Sequence, residues 1–366
     1  MKICFIITGL GMGGAERQVC DLADELTLLK HNIIIISLGG NSIVKPKSKK
    51  IELIELNMKK TPLGLISSLK ASSKIIKDFK PNIIHSHMVH ANIFARLVKF
   101  FIKIPKLICS AHGNNEGGIL RILSYRITDR LADLTTNVSK DAVNVFIKNK
   151  AVIKERIINV PNGIDHHRFQ FSSLARTKKR SLLNINEQTI LYLAIGRLCE
   201  PKDYSNMLCA FASVVKESKQ WDKKVLLAII GQGELEKELK TLASELKIQN
   251  YVHFLGMHLD VEDWLSAADF YVMSSAWEGL PLVIAEAMSV KRFVIATDCG
   301  GVKELVGNTG VLVPPKDYHA LANAMLDAMR MPSAEKTEMT TKARARIIKH
   351  YSLSSVVKKW LNLYQS

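Results

Sequence analysis

Cysteine is scarce in this sequence, and no two cysteines are spaced as a C-x-x-C pair. Met1 is followed directly by a strand-like segment, and the chain has no run of about 18 apolar residues. We therefore expect a chain of a reducing compartment, cytoplasmic or peripheral on the inner face of a membrane. The scattered positions predict neither a disulfide framework nor a zinc site: Cys4, Cys20, Cys109, Cys199, Cys209 and Cys299.

Acidic residues are also in deficit, mainly in the first half. The formal net charge is +17, and the first 165 residues contain 25 Lys and Arg against 13 Asp and Glu. Lys70, Lys74 and Lys77 share one face of a predicted helix, with apolar side chains such as Leu69 and Ile76 nearby. Such a face suits an anionic membrane surface or a pyrophosphate-bearing lipid, although a solvated basic face that binds nothing has the same pattern.

Aromatic residues make up only 7% of the chain. Proteins that bind single-stranded nucleic acids combine basic grooves with aromatic side chains on which bases stack. The basic segments here lack that combination, and the sequence has no helix-turn-helix or RNA-binding signature. We therefore expect no nucleic-acid partner.

A glycine-rich turn follows the first apolar segment. Gly9, Gly11 and Gly14 have the G-x-G-x-x-G spacing, which lets backbone N–H groups approach a phosphate at a helix N-terminus. A dinucleotide site also needs an Asp or Glu about 20 residues further on, but the next predicted strand, Asn32–Leu38, ends without one. The turn predicts a phosphate-like neighbour and disfavours an NAD-dependent dehydrogenase.

Strand-like and helix-like segments alternate along the whole chain, which predicts parallel sheets covered by helices. A break at Pro161-Asn162-Gly163 divides the alternation in two. We expect an α/β protein of two doubly wound domains, with ligands at the carboxyl ends of strands that face a cleft between them. The predicted strands are Ile3–Ile7, Ile33–Ser37, Ile51–Leu56, Asn82–His85, Lys106–Ser110, Asp133–Asn137, Ile190–Ile195, Lys224–Ile230, Val252–Leu255, Phe270–Met273, Phe293–Ala296 and Gly310–Val313.

The most informative motif lies in the second half. The stretch SSAWEGLPLVIAEAM, residues 274–288, places Glu278 and Glu286 eight positions apart. If a helix begins near Leu280, the N–H groups of Gly279 and Leu280 are available to a phosphate. Glu286 then lies within reach of a ribose attached to that phosphate. Glu278 precedes the helix, where a carboxylate that only interacts with the helix dipole is the simpler alternative.

Two further segments join a strand to a glycine turn. Arg197 and Lys202 follow one strand and could neutralise a diphosphate without a metal, although both could equally be surface residues. Gly231 and Gly233 follow another strand and permit close approach of a base or phosphate. Because the sequence has no Asp-x-Asp pair suited to a hard cation, we expect no metal and no cofactor beyond the substrate.

Three histidines lie at the end of another predicted strand. An H-x-H pair such as His85 and His87 can ligate zinc, which would favour a metal-dependent hydrolase. The sequence places no acidic ligand beside them. We expect His85, His87 and His90 to line a binding site with their hydrogen bonds satisfied.

Together these segments resemble the retaining nucleotide-sugar glycosyltransferases of the GT-B fold, glycosyltransferase family 4 or group 1. The resemblance covers nearly the whole chain. It is carried by Gly13-Gly14-Ala15-Glu16, Ser110-Ala111-His112-Gly113, Val160-Pro161-Asn162-Gly163-Ile164-Asp165, Gly196-Arg197 with Lys202, the E-x7-E pair Glu278 and Glu286, and the stretches GGVKELV (300–306) and GVLVPP (310–315).

The resemblance implies three groups of site residues. Glu278 and His112 contact the transferred sugar. Gly13, Gly14 and Glu16 lie in a loop that faces the acceptor and the phosphates, so this loop binds no dinucleotide. The largest group binds the diphosphate and the nucleotide: Arg197, Lys202, Gly231, Gly279, Leu280 and Glu286.

The same resemblance implies two Rossmann-like domains facing a central cleft. Residues 1–168 would form an acceptor-binding domain, onto which a C-terminal helix over 347–366 packs back, and residues 169–346 would bind the nucleotide-sugar. This sequence departs from the family's pattern at two turns. Asp203 and Lys291 stand where the family usually has glycine, and Phe293 stands where it usually has proline. We expect altered turns there and unchanged chemistry.

The implied reaction is metal-independent transfer of a hexose or N-acetylhexosamine, with retention, from a UDP-sugar to a saccharide. The basic first half favours a lipid-linked acceptor, as in surface polysaccharide, lipopolysaccharide or lipid-linked oligosaccharide synthesis. Front-face substitution, in which the leaving phosphate takes the acceptor proton, and a covalent glycosyl-enzyme both remain open. A UDP-sugar epimerase and a non-catalytic protein that binds polyanions or membranes are the alternative functions.

Overall fold

Helices and strands alternate along the chain in the computed structural model, which describes residues 1–11, 13–113 and 118–366. The strands are β1 (Lys2–Ile7), β2 (Asn32–Ser37), β3 (Glu52–Glu55), β4 (Ile83–His87), β5 (Leu107–Ala111), β6 (Leu134–Asn137), β7 (Ile157–Asn159), β8 (Ile190–Ile195), β9 (Val225–Ile230), β10 (Val252–Gly256), β11 (Phe270–Met273), β12 (Phe293–Thr297) and β13 (Val311–Val313). The helices are α1 (Gly14–Leu28), α2 (Pro62–Phe79), α3 (Val89–Val98), α4 (Ile119–Thr128), α5 (Lys140–Lys148), α6 (Ser173–Leu182), α7 (Tyr204–Gln220), α8 (Glu236–Glu245), α9 (Val261–Ala267), α10 (Leu282–Ser289), α11 (Val302–Val306), α12 (Tyr318–Arg330), α13 (Ser333–Tyr351) and α14 (Leu353–Gln365).

The chain divides into two compact units. Unit 1 comprises Met1–Gly163 and Tyr351–Ser366, and unit 2 comprises Ile164–His350. Each unit contains one parallel sheet, in the order β3-β2-β1-β4-β5-β6-β7 in unit 1 and β10-β9-β8-β11-β12-β13 in unit 2. The predicted α/β class with two doubly wound, Rossmann-like sheets is confirmed.

Unit 1 has helices on both faces of its sheet, because its central strands are apolar on both sides. In β1, Ile3, Phe5 and Ile7 belong to the buried cluster under α1 and α14. Cys4 and Ile6 point the other way, into the cluster under α2 and α3. This alternation has the period of two that a β-strand requires. Strand β7 was not predicted, since its three residues are too few to give a periodic signal.

The C-terminal helix α14 completes the core of unit 1. Leu353, Val356 and Trp360 are buried in the same cluster as Phe5. The hydroxyl of Tyr364 lies 2.7 Å from Nδ1 of His85. A segment distant in sequence therefore covers one face of the first strand.

The division between the units lies after Gly163, and not after Arg168 as predicted. The Gly163 N–H donates to Oε1 of Gln18 in unit 1 at 2.7 Å. Arg168 pairs with Glu262 of unit 2 at 2.9 Å, and the Phe169 carbonyl accepts a hydrogen bond from Arg344 at 3.0 Å. These contacts hold the residues after Gly163 to unit 2. The return to unit 1 lies at Tyr351 instead of 347, because α13 continues to that residue.

The two turns at which the sequence departs from the family have left-handed backbone. Lys291, between α10 and β12, has φ 58°, and Asp203 has φ 45°. Glycine adopts this conformation without strain, whereas a Cβ atom makes it costly. Asp203 offsets part of that cost by capping α7, because its Oδ1 accepts from the Asn206 N–H at 3.3 Å. Lys291 has no equivalent cap among the described residues.

We predict that Lys291→Gly raises the free energy of unfolding by about 0.5 kcal/mol. A left-handed lysine costs about 1 kcal/mol or more, which exceeds the added chain entropy that glycine gives the unfolded state. Asp203→Gly is the matched control and should give no gain, since it also removes the cap of α7. Guanidinium denaturation of the two variants measures this, and a loss of stability in Lys291→Gly would contradict the strain argument.

Candidate functional site

The sheet of unit 2 reverses its strand order beside β8. Strands β9 and β10 continue on one side of β8, and β11, β12 and β13 continue on the other. In doubly wound sheets, loops diverge at this reversal and leave a crevice at the carboxyl ends of the strands. Arg197 and Lys202 follow β8, and Glu278 and Gly279 follow β11. The structure thus places Arg197, Lys202 and Glu278 at the carboxyl ends of β8 and β11, two neighbouring strands of the unit 2 sheet.

An ion pair joins the two loops at this crevice. Nζ of Lys202 lies 2.5 Å from Oε1 of Glu278, and both side chains are largely buried. The second carboxylate oxygen of Glu278 has no hydrogen-bond partner among the described residues. Lys202 and Glu278 therefore neutralise each other while one oxygen stays available to a ligand.

Two serines that the sequence analysis did not single out hold this pair. Ser275 Oγ donates to the same Glu278 oxygen at 2.7 Å, and Ser274 Oγ donates to the Lys202 carbonyl at 2.8 Å. Thr297, at the end of β12, donates to the Ser275 carbonyl at 2.6 Å. The sequence does place Ser274 and Ser275 directly after β11 and Thr297 at the end of β12. Because neighbouring parallel strands end at the same edge of a sheet, these positions could have indicated that the three side chains lie close together.

Backbone donors lie beside the ion pair. Helix α10 begins at Leu282 with Pro281 as its N-cap, two residues later than predicted. The N–H groups of Gly279 and Leu280 have no acceptor in the part of the chain that the structure describes. The preceding turn is fixed by Gly300, whose φ is 57° and whose Cβ would lie 2.0 Å from the Glu278 carbonyl oxygen. Only glycine fits there, so the Glu278 turn is held by backbone contact.

Glu286 lies in the second turn of α10 and is 5% exposed. Burial raises the pKa of Tyr271, in β11, well above its ordinary value, and the negative charges of Glu278 and Glu286 add to that rise. The negative charges of both carboxylates of the E-x7-E pair therefore raise the pKa of the same buried tyrosine hydroxyl.

Arg197 and Gly231 complete this group. Arg197 is exposed and has no acidic partner among the described residues. Gly231 has φ 146°, and a Cβ there would lie 1.9 Å from the Gly196 carbonyl oxygen. Tyr204 donates to that carbonyl at 3.1 Å. The glycine turn after β9 is thus packed against the turn that carries Arg197.

The remaining predicted residues lie in unit 1, whose sheet reverses its order beside β1. Gly13 is the N-cap of α1, Gly14 is its first residue and Glu16 lies in its first turn. A side chain at Gly13 would collide with the Glu16 carboxylate. Glu16 therefore has the place of the acidic residue of a capping box, which turns back toward the helix start.

His112 follows β5 and belongs to a cluster of three histidines. Its Nε2 lies 3.0 Å from Nδ1 of His87, at the end of β4. The rings of His87 and His85 contact each other in a tilted arrangement, with 4.0 Å between their centroids. Nε2 of His85 lies 2.7 Å from Ser110 Oγ. His85 and His87 are fully buried, whereas His90 is exposed and does not join them.

Burial keeps this cluster uncharged. It lowers the pKa of His112 to about 4. The pKa values of His85 and His87 are also held well below the ordinary value, first by burial and then by repulsion among the three rings. Within residues 1–11, 13–113 and 118–366, no three His, Cys, Asp or Glu side chains are grouped as metal ligands.

Two family models match this chain, one in each half. The model described as Glycosyltransferase Family 4 matches residues 12–168. The model described as Glycosyl transferases group 1 matches residues 175–347. The second match contains the whole ion-paired crevice of unit 2.

Several relatives have named activities, and two of them match this chain over most of its length. The chain is 29% identical, over 99% of its length and 98% of the other, to GalNAc-alpha-(1->4)-GalNAc-alpha-(1->3)-diNAcBac-PP-undecaprenol alpha-1,4-N-acetyl-D-galactosaminyltransferase of Campylobacter jejuni. It is 26% identical, over 82% of its length and 79% of the other, to UDP-Gal:alpha-D-GlcNAc-diphosphoundecaprenol alpha-1,3-galactosyltransferase of Escherichia coli. Both enzymes are named for saccharides linked to undecaprenol.

The fold is similar to that of solved structures. The Anabaena protein Alr3699/HepE, in complex with UDP and glucose, has a TM-score of 0.85 and 20% identity over 100% of this chain and 99% of the other. This likeness, with the two sheets described above, establishes a GT-B fold.

We predict that unit 1 loses stability as the pH falls from 7 to 5. The folded-state pKa of His112, about 4, lies below the value near 6.5 of an unfolded chain. The unfolded state therefore binds more protons between these values, and the free energy of unfolding falls by on the order of 1–2 kcal/mol for this residue. Calorimetry of the wild type and His112→Asn measures it. Equal pH slopes for the two proteins would contradict the prediction.

Proposed function

This chain belongs to the group 1 glycosyltransferases of glycosyltransferase family 4, whose two models match most of it, and from that premise we propose its substrates and mechanism. It transfers a hexose or N-acetylhexosamine from a UDP-sugar, with retention, to a lipid-linked saccharide. The observation that carries the donor assignment is the crevice of unit 2. There a cation, an ion pair and unpaired backbone N–H groups occur together.

The donor's diphosphate is bound by the positive groups of this crevice. Arg197 supplies an exposed guanidinium, suited to bidentate contact with phosphate oxygens. The N–H groups of Gly279 and Leu280 supply donors beside it. When the donor binds, the ammonium group of Lys202 interacts with the diphosphate as well as with Glu278. In this proposal Arg197, Lys202 and the backbone N–H groups take the role at the diphosphate that a metal ion would otherwise have.

The nucleoside and the sugar are bound by the two carboxylates. Glu286 accepts hydrogen bonds from the ribose hydroxyls, and its burial strengthens those contacts. The available oxygen of Glu278 accepts from a hydroxyl of the sugar. His112 of unit 1 contacts a second sugar hydroxyl. Gly13, Gly14 and Glu16 form the loop on the acceptor side.

The anomeric configuration is retained because the acceptor attacks the anomeric carbon from the same face that the phosphate leaves. The acceptor oxygen forms a bond to the anomeric carbon as the bond from that carbon to the phosphate oxygen breaks. The acceptor's hydroxyl proton moves to the departing phosphate oxygen. Arg197 and the backbone N–H groups stabilise the negative charge that develops on the diphosphate.

The acceptor is carried on a lipid in this proposal. The two relatives named above act on undecaprenol-linked saccharides, and the first 165 residues carry most of the net positive charge. No helix in the described residues is long and apolar enough to cross a bilayer. We propose that the protein reaches its acceptor by binding at the inner, anionic surface of a membrane.

Helix α4 has the most suitable surface for that contact. Ile119, Leu120, Leu123 and Ile127 lie on one side of it and are 81%, 75%, 44% and 72% exposed. Tyr125 is buried on the opposite side. Three arginines lie in α4 or directly after it, at 121, 126 and 130. Exposed aliphatic side chains next to cations are typical of helices that lie in an anionic membrane interface.

The lysine face of α2 is less suitable than the sequence indicated. Lys70, Lys74 and Lys77 are exposed as expected. Leu69 and Ile76, which were expected to accompany them, are buried in the core with α3. The helix presents charge there without a continuous apolar face, so it attracts anionic lipids without inserting.

We predict that UDP stabilises the protein in the presence of EDTA, by about 2.7 kcal/mol at one hundred times its dissociation constant. Arg197→Met and Glu286→Gln should each weaken UDP binding by at least tenfold, because each removes charge-assisted hydrogen bonds. Thermal shift against UDP, GDP, ADP, their sugars and NAD measures this. Lys216→Met, an exposed lysine of α7 outside the crevice, is the control and should bind as the wild type does.

Product analysis separates the remaining alternatives. Sugar transfer to an undecaprenol-diphosphate saccharide, with the anomeric configuration kept, supports the proposal. Conversion of a UDP-sugar to its epimer without an acceptor would identify an epimerase instead. If no nucleotide shifts the melting temperature, the crevice is not a donor site, and a non-catalytic membrane-binding protein becomes the better description.

We predict that the double variant Leu120→Asp/Ile127→Asp loses at least tenfold in affinity for anionic vesicles, because each change removes a side chain whose burial in lipid is favourable. Flotation with phosphatidylglycerol vesicles measures the affinity. The matched control is Leu174→Asp/Leu182→Asp on α6 of unit 2, where both leucines are similarly exposed. Equal losses in the two double variants would show that α4 is not the membrane face.

A further inference from the structure

Three basic residues that the proposed donor crevice does not use lie at the carboxyl edge of the unit 1 sheet. Lys60 lies two residues before α2, His90 is the second residue of α3, and Arg121 lies in the first turn of α4. The strands that precede these helices are β3, β4 and β5, so all three helices begin at the same edge of the parallel sheet. Loops at this edge are where doubly wound sheets bind ligands. We call these three residues the basic cluster.

Packing brings the starts of these helices together. Helix α3 packs against both α2 and α4. Asn92, in the first turn of α3, donates to the Tyr125 hydroxyl of α4 at 2.8 Å. Val89, next to His90, is buried in the same cluster as Tyr125. Arg121 lies one turn before Tyr125 on the same side of α4. His90 and Arg121 therefore lie in adjoining first turns of two packed helices.

The electrostatics of His90 supports this proximity. The pKa of His90 is lowered first by loss of solvent around its ring, and then by the positive charges of Arg121 and Lys60. Among the described residues, no carboxylate offsets this effect on His90. A bound anion with more than one negative charge would relieve the repulsion among the three groups. The basic cluster is therefore suited to a phosphate or a diphosphate.

Exposed aliphatic side chains flank the basic cluster on both sides. Leu63 and Ile66, near the start of α2, are 79% and 49% exposed. Ile119 and Leu120 directly precede Arg121 at the start of α4 and are also exposed. A soluble phosphate compound leaves such side chains in water. A lipid diphosphate contacts both kinds of group, because its phosphates reach the cations while its hydrocarbon chain covers the aliphatic side chains.

The basic cluster is also close in sequence to the histidine pair at the ends of β4 and β5. His90 follows His87 by three residues, and Nδ1 of His87 lies 3.0 Å from Nε2 of His112. Met88 lies between, with φ 74° and ψ 154°, a conformation that is otherwise nearly restricted to glycine. Its N–H donates to the Ser110 carbonyl at 3.0 Å, which fixes this turn. The turn therefore places His90 beside the loop that carries His112.

We propose that Lys60, His90 and Arg121 bind the diphosphate of a lipid-linked acceptor, whose hydrocarbon chain lies on the exposed aliphatic side chains of α2 and α4. The inference rests on the proposed function and names the site that recognises the acceptor. Arg121 contacts two phosphate oxygens at once, and Lys60 adds a second permanent charge. His90 binds a proton when the diphosphate arrives, since a neighbouring negative charge favours the imidazolium form. The saccharide on this diphosphate then extends toward His112.

Affinity for farnesyl diphosphate tests the site in the full chain without any nucleotide. Lys60→Met/Arg121→Met should weaken binding by about tenfold or more, because charge-assisted hydrogen bonds are lost. Lys70→Met/Lys77→Met is the matched control, since it removes the same charge from exposed side chains of α2, and it should bind as the wild type does. Arg121→Lys keeps the charge and should retain most of the affinity. Equal losses in the two double variants would overturn the proposal.

The ring of His90 provides a second measurement. Farnesyl diphosphate should raise the pKa of His90 toward its ordinary value, which a proton NMR titration measures, with the His90→Gln spectrum identifying the resonance. Inorganic diphosphate should bind more weakly, because it makes no contact with the aliphatic side chains. Equal affinity for the two compounds, or an unchanged pKa of His90, would overturn the assignment to a lipid diphosphate.

UDP binding separates this inference from the proposed function. Lys60→Met/Arg121→Met should keep the wild-type thermal shift with UDP, because Arg197 and Glu286 lie in unit 2. A wild type that binds farnesyl diphosphate but not UDP would support the basic cluster and contradict the donor assignment. A wild type that binds UDP but not farnesyl diphosphate would leave the donor assignment standing and overturn the inference.

Discussion

The close approach of one backbone to another at the carboxyl edge of the second sheet is the constraint on which the proposed donor crevice depends. At Gly231 the chain passes against the turn that carries Arg197, and at Gly300 it passes against the turn that carries Glu278. Neither place has room for a Cβ atom. The charged side chains are therefore oriented by backbone contacts of neighbouring loops, which restrict movement more than flexible side-chain contacts do.

The charges in the crevice are partly paired with each other. Lys202 and Glu278 offset each other, which lowers the cost of partly burying both. Arg197 remains outside the pair. In the proposed function, a diphosphate competes with Glu278 for Lys202 and pairs directly with Arg197. One cation then supplies binding energy, and the exchange of partners at the other supplies orientation.

Much of this structure could be predicted from the sequence, and the exceptions have physical reasons. The twelve predicted strands all occur, because apolar segments between glycine turns determine parallel strands. Strand β7 is too short for a pattern. The start of α10 at Leu282 and the contact of Ser275 with Glu278 depend on how loops pack, and neighbouring loops in space are distant in sequence. The histidine cluster was read as lining a site, whereas His85 is fixed in the core by a helix almost 280 residues away.

The chain leaves unit 1 at Gly163 and returns to it only at Tyr351. During translation, the face of β1 that carries Ile3 and Phe5 is made first, but the helix that covers it is made after all of unit 2. Unit 2 is continuous in sequence and can fold as it leaves the ribosome, whereas unit 1 must wait with apolar strands uncovered. Nascent chains of this protein thus depend on protection from aggregation for most of their synthesis.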